Sequence, residues 1–419
     1  MTADATPILQ KDRIDILDIL RGLALLGVLL DNLFVFTGWG FATEPQHHLL
    51  STWPADGIMA LFEHIFINGK FYSLFSLLFG IGFSIILIRN EQRGIDPLKI
   101  FYRRLFVLSL FGTAHLLLLW EGDILLLYAL LGLLLPLFRK CADSTLLIIA
   151  AVLLLSPILL DGISILVQAK SGDALEKLAL SIDKKNGVPS DPADYAVYLY
   201  KNAGWPEWRN WQASGWAYRY SYVLNSNRIP KILGMFLLGF YTGRKMMYAQ
   251  LENHISLFKK LRFWGLLIGV PACAATFYFE FFANKVPDPV GLFYSIFYAL
   301  GVVPLSLAYT SILCLSWINK KGNHLLKYFA PVGRMALTNY IMQTVLSIGL
   351  FYGVGLGLGG YIGPTIFIPI GLCVYAFQIL YSTVWFTYFN YGPLEWIWRQ
   401  LTYGKRLPLR RAKHKNATK

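Results

Sequence analysis

Five polar residues, Asp15, Asp18, Arg21, Asp31 and Asn32, stand inside "RIDILDILRGLALLGVLLDN", a stretch that otherwise reads as one apolar helix. At 100° per residue Asp18, Arg21 and Asn32 share a face. Ionisable groups inside a membrane helix are expensive, so they are functional candidates by default. The plainer reading is an Asp18–Arg21 pair one turn apart that fixes packing. A second pair, Glu121 and Asp123, lies in the tight turn "WEGD". Neighbouring carboxylates can drive one pKa upward and make an acid/base couple; equally, Asp123 can cap the helix that follows. His47, His48, His64 and His115 are the candidate bases, because a neutral imidazole can take a proton from a hydroxyl or amine within hydrogen-bond reach. His115 is also the type of residue that packs, satisfied, in a core. Asn339, Gln343 and Ser347 recur at i, i+4 and i+8, which lines a cavity or bonds a neighbouring helix. Arg21, Arg89, Arg103, Arg104 and Arg334 form a set able to meet phosphate oxygens, though each alone suits a span end.

These side chains need a scaffold that holds them in or near a bilayer. Of 419 residues, 56% are hydrophobic and only 15% charged; a soluble chain carries about 25% charged residues. Long uncharged runs meet the criterion for membrane-spanning helices. The expected fold is an all-α polytopic membrane protein with ten spans, at roughly 14–37, 70–89, 103–120, 123–138, 145–168, 230–247, 262–283, 291–317, 333–352 and 362–390. Residues 1–404 form one transmembrane domain, and 405–419 a basic cytoplasmic tail. Residues 170–228 make a large outer loop. There Trp205, Trp208, Gln212 and Trp216 recur at helical spacing, the pattern of an amphipathic aromatic helix in the headgroup region. A short amphipathic helix is expected on the outer surface within "IMALFEHIFING". Lys70 then opens the second span, where Gly80 and Gly82 with Ser73, Ser76 and Ser84 offer a small-residue face for close packing.

The net charge of +14 is a topology signal rather than a nucleic-acid footprint. Most of the 38 Lys and Arg fall in short loops and tails on one side, which places both termini in the cytoplasm. The expected location is the inner (plasma) membrane. The four cysteines are scattered and make no redox pair or zinc site. The glycine-rich "YGVGLGLGGYIG" has no following Lys-Ser/Thr, so it is not a phosphate loop. No metal is expected.

"RGLALLGVLLDN", "NGKFYSLFSLLFGIGFS", "WEGDILLLYALLG", "GRMALTNYIMQT" and "NYGPLEWIWRQLTYG" together resemble the YeiB-like family of bacterial membrane proteins, domain of unknown function 418, over roughly Arg13 to Gly404. More distantly the chain is similar to a superfamily of transmembrane acyltransferases, among them the lysosomal enzyme that acetylates heparan glucosamine. That resemblance carries the Arg-Gly and Asn of the first helix onto Arg21, Gly22 and Asn32. It implies acyl-CoA (acetyl-CoA) taken from the cytosol, an acceptor acylated on the far side, and a histidine base near the outer end. Here His47 and His48 stand four and five residues beyond the position, Thr43, where that histidine would fall.

Two functions follow. In the first, a transmembrane acyltransferase, His48, His47, Asn32, Asp31, Glu121 and Asp123 carry the chemistry. Arg21, Arg103, Arg104 and Arg334 hold the coenzyme phosphates, and His115, Lys70, Asn339, Gln343 and Trp216 line the substrate path. The acceptor is a glycan or small amphiphile; membrane lipids and a second copy of the chain are the expected partners, nucleic acid is not. In the alternative, a small-solute transporter or permease, the same polar face is a conduction path. A non-catalytic scaffold leaves Arg21 and Asp31 without a reason.

Overall fold

The computed structural model describes residues 14–191, 194–195, 197–201, 204–282, 289–319 and 323–411. Lys11, Arg13, Lys320, Lys321 and the tail from 412 onward, which carry part of the basic charge, lie outside the described residues. In chain order the helices are α1 (Asp15–Phe36), α2 (Glu44–His48), α3 (Ala55–Phe66), α4 (Lys70–Glu91), α5 (Pro97–Leu118) and α6 (Leu125–Gly132). They continue as α7 (Asp143–Val167), α8 (Asp173–Asn186), α9 (Trp205–Asn225), α10 (Arg228–Arg244), α11 (Ile255–Phe282) and α12 (Pro289–Ile318). The last are α13 (Asn323–Lys327), α14 (Phe329–Arg334), α15 (Ala336–Phe351), α16 (Pro364–Tyr388) and α17 (Pro393–Tyr403). Among the described residues, seven helical stretches are long and apolar enough to cross a bilayer. Two shorter apolar stretches, Leu125–Phe138 and Ala336–Phe351, and the 17-residue α10 coincide with the other three expected spans. The chain is an all-helical polytopic membrane protein. Its outward apolar residues, such as Phe106, Ile148, Leu159, Leu166 and Leu380, suit contact with lipid. The end of the bundle where α1 begins is rich in Lys and Arg and is called the basic face; the opposite end is the aromatic face.

Two backbone-to-backbone approaches set the architecture. A Cβ on Gly80 of α4 would strike the carbonyl of Phe236 on α10, and one on Gly239 would strike the carbonyl of Leu77. Gly82, expected on the same small-residue face, points into open space, whereas Ser73, Ser76 and Ser84 are buried. The second approach joins α1 to α14. A Cβ on Gly22 would meet the Phe329 carbonyl, and one on Gly333 the Asp18 carbonyl. The glycine after Arg21 is therefore a packing requirement of the first helix.

α3 is amphipathic in the inverted sense. Its Asp56 and Glu63 are buried, while Ile58 and Phe62 are exposed. A helix lying on an aqueous surface would show the reverse, so α3 presents its apolar side to lipid. α9 also departs from a simple headgroup anchor. Trp205 is exposed, but Trp208 and Gln212 are buried against the turn joining α5 to α6.

Candidate functional site

At the aromatic end of α5 the chain stops being helical after Leu118, turns through "WEGD", and restarts as α6. This turn brings His115 and Asp123 together: His115 Nδ1 lies 2.9 Å from Asp123 Oδ2. The other carboxylate oxygen accepts the backbone N–H of Leu126 at 2.7 Å, so Asp123 both caps α6 and fixes the imidazole. From α15, Thr344 Oγ1 reaches His115 Nε2 at 2.9 Å. The partners decide the tautomer of the neutral ring. A carboxylate only accepts, so Nδ1 carries the proton; Nε2 is left bare and accepts from the Thr344 hydroxyl. Hydroxyl, imidazole and carboxylate thus stand in the order of a nucleophile, its base and the group that orients the base. His115, Asp123 and Thr344 are all buried. The Asp123 carbonyl also accepts from Arg219 Nε at 2.8 Å, which pins α9 over the turn.

Glu121, two residues away, has a different environment. Its Oε1 accepts from Trp211 Nε1 at 3.4 Å, and its Oε2 is buried with no hydrogen-bond partner among the described residues. Burial pushes its carboxyl above the usual range. The two acids do not share a proton between them: Asp123 serves His115, and Glu121 faces α9. Gln212 donates to the Leu116 carbonyl at 2.6 Å, and Trp216 is half-buried on the same helix.

Deeper in the bundle a chain of amides links α15 to α16. Gln343 Nε2 donates to Gln378 Oε1 at 2.9 Å, Gln378 Nε2 to the Asn339 carbonyl at 2.8 Å, and Asn339 Nδ2 to Ser382 Oγ at 3.0 Å. Asn339 Oδ1 and Gln343 Oε1 keep unused acceptor capacity within this buried layer. Tyr375 OH donates to the Gly22 carbonyl at 2.6 Å, tying α16 to α1. Toward the basic face Glu395 of α17 accepts from the N–H groups of Leu337 and Thr338, at 2.7 and 3.1 Å, and from Thr338 Oγ1 at 2.6 Å. It caps α15, the helix that carries Thr344. Burial raises its pKa, against these hydrogen bonds. Sequence reasoning missed Thr344, Gln378 and Glu395; "MQT" and "PLEW" lay inside quoted motifs, but no local signal tied them to His115 or Thr338.

The polar residues of α1 divide into two groups. Arg21 pairs with Asp18 at 2.8 Å near the basic face. Arg104 lies near both Arg21 and Arg399, and its guanidinium sits 4.1 Å over Trp398. Arg103 donates to the Leu401 carbonyl at 3.3 Å. Arg334 stacks 4.0 Å over Phe386. Arg21 and Arg104 therefore share a patch, to which the sequence reading had not added Arg399, and Arg103 and Arg104 also dock α17. Near the aromatic face Asp31 accepts from Asn68 Nδ2 at 3.1 Å. Lys70, only 1% exposed, donates to the His64 carbonyl at 2.6 Å. Asn32 is half-buried beside Asp31. Between the groups α1 buries Leu25, Leu29 and Leu30.

His47, His48 and His64 each contact other side chains. His47 stacks on Trp39 with centroids 3.8 Å apart, and its Nε2 lies 3.1 Å from the Trp39 carbonyl; burial holds its pKa down. His48 is exposed and stacks on Trp53. His64 Nε2 is 2.9 Å from Thr276 Oγ1. Because that hydroxyl donates to the Cys273 carbonyl at 2.6 Å, His64 is the donor. His115 has a carboxylate on one nitrogen and a hydroxyl on the other.

Residues 242–405 match the family model described as "Protein of unknown function (DUF418)". The chain is 31% identical over 95% of its length to the uncharacterized protein YxaH of Bacillus subtilis, covering 96% of that protein. It is 30% identical over 92% of its length to the uncharacterized protein YeiB of Escherichia coli, covering 95% of it. An uncharacterized 39.9 kDa protein in the amylase 3′ region of Bacillus acidopullulyticus is 29% identical over 96% of this chain and 97% of its own. The family model spans Thr344, the amide chain and Glu395; His115 and Asp123 lie before it but inside the full-length similarity.

Proposed function

We propose, for a chain that belongs to the DUF418 family of YeiB-like proteins, that it is a transmembrane acyltransferase of the inner membrane with His115 as its general base. The single observation that carries this reading is the Asp123–His115–Thr344 relay. An acceptor hydroxyl or amine takes the place of the Thr344 hydroxyl at His115 Nε2. His115 removes its proton as it attacks the acyl carbonyl of acyl-CoA, and returns a proton to the departing coenzyme A thiolate. Asp123 keeps Nδ1 protonated and steadies the imidazolium that forms. The patch of Arg21, Arg104 and Arg399 meets the coenzyme phosphates from the basic face. The acceptor, a glycan or small amphiphile, enters on the aromatic face, where α9 must lift from the turn because the relay is sealed beneath it.

The test is release of free coenzyme A from acetyl-CoA by purified protein, together with transfer of labelled acetyl groups to an acceptor extract. His115→Gln should lower turnover by about 10²–10⁴-fold, the usual share of a general base, with expression unchanged. A wild-type protein that releases no coenzyme A but moves solute in proteoliposomes supports instead the second reading, a small-solute transporter. That reading draws on the buried charges around Asp31 and Lys70, since such groups also mark conduction paths.

A further inference from the structure

On the basic face, away from the relay, a cleft of about 410 Å³ opens between the ends of α4 and α10 and the segment joining α6 to α7. Its floor is mostly apolar: Leu87 and Phe240 are buried and Ile88 is half-buried, with the Ser84 hydroxyl beside them. Its rim carries three cations, Arg139, Lys140 and Arg244, against one carboxylate, Glu91. Arg139 and Lys140 are exposed. Arg244 is partly engaged: Nε lies 3.3 Å from Asp143 Oδ1 and Nη2 donates to the Cys141 carbonyl at 2.8 Å. Its Nη1 is buried and finds no acceptor among the described residues. Asp143 cannot neutralise the rim, because it is shared with Lys245 at 2.6 Å. The floor exists because α4 and α10 touch there: a Cβ on Gly243 would collide with Ser84.

The geometry points to a binding site for an anionic glycerophospholipid, its phosphate among Arg139, Lys140 and Arg244 and its acyl chains along Leu87, Ile88 and Phe240. An excess of positive charge above an apolar floor, at the end of membrane-spanning helices, matches a ligand with a negative head and greasy stem. Basic pockets between transmembrane helices hold lipid headgroups on this principle. Arg139 and Lys140 are exposed to meet a phosphate, and charge-assisted bonds to phosphate are the strong kind. This inference is independent of acyl transfer and survives if no coenzyme A is released.

The test uses full-length protein in nanodiscs of phosphatidylcholine, with and without phosphatidylglycerol. Native mass spectrometry counts retained lipid, and thermal unfolding reads stabilisation. Wild-type protein should retain phosphatidylglycerol in preference to phosphatidylcholine and unfold later in its presence. The exposed pair Arg139→Gln/Lys140→Gln should weaken retention by about tenfold or more, since losing even one charge-assisted bond to the phosphate costs about a factor of ten. The control pair Lys259→Gln/Lys260→Gln, also exposed on this face, should change little. Equal losses in both pairs would mean diffuse attraction to the leaflet and would overturn the site. So would no preference for the anionic lipid, or stabilisation by acetyl-CoA or inorganic phosphate alone that the first pair abolishes while lipid retention stays intact.

Discussion

Asp123 and Glu121 are two residues apart, and the difference in their partners decides what each can do. Asp123 has both oxygens occupied, by His115 Nδ1 and the Leu126 N–H. Asp123→Asn keeps the cap on α6 but presents an amide N–H to Nδ1. The ring must then move its proton to Nε2, the nitrogen that has to be bare. Turnover should fall by roughly 10³-fold or more while thermal stability changes little; coenzyme A release set against a melting curve checks both. An Asp123→Asn protein with near-normal turnover would remove His115 from the role of base. Glu121 is an acid held by burial above its usual pKa. The folded state therefore binds its proton more tightly than the unfolded chain, whose Glu titrates near about 4.3. Stability is greatest below that value, declines as pH rises toward the folded pKa, and levels off above it. Glu121→Gln keeps the shape and removes the titration. Its melting temperature should lack this decline and should equal or exceed the wild type's at neutral pH.

At the scale of helices, the same chemical change should have opposite signs two residues apart. Gly80→Ala pushes a methyl group into the Phe236 carbonyl, which belongs to a helix backbone and cannot turn aside. A loss of about 1–3 kcal/mol is expected from such overpacking. Gly82→Ala meets nothing and should gain a few tenths to about 1 kcal/mol from helix propensity. Unfolding of the purified protein by heat or SDS resolves the two. The spans themselves were legible in the sequence, because an uncharged run of bilayer length has few other uses. Which glycine faces a neighbour was not, since periodicity places Gly80 and Gly82 on a helix without saying where the next helix lies. α3 shows a related limit. Its two faces are plain in "DGIMALFEHIF", but pattern alone does not say whether lipid or water touches the outer one.

Across the whole molecule, the relay was half legible: His115 and Asp123 sit eight residues apart, within one turn's reach. Thr344 lies 229 positions away and Glu395 reaches back 57 to Thr338. Contacts at such separations leave no local mark, and the acyltransferase resemblance directs attention to His47 and His48 instead. The same limit hid the charge compensation around Lys70. That ammonium lies near Glu63 and Asp31, and Asp31 in turn lies near Arg228. Two acids and two bases from α1, α3, α4 and the start of α10 thus lie close together, Glu63 and Lys70 buried and Asp31 and Arg228 half-buried. If this arrangement holds the four helices in register, Lys70→Met removes a buried cation from beside two acids and leaves the His64 carbonyl unpaired, which should cost about 1–3 kcal/mol. Asp31→Asn alone should also destabilise, by leaving excess positive charge. The double variant restores neutrality and should recover a large part of the loss, giving a coupling energy of roughly 1–3 kcal/mol in a double-mutant cycle. Unfolding of the four proteins in one detergent measures it. A coupling near zero would mean that Asp31 and Lys70 are balanced by separate partners and that no shared charge cluster joins these helices.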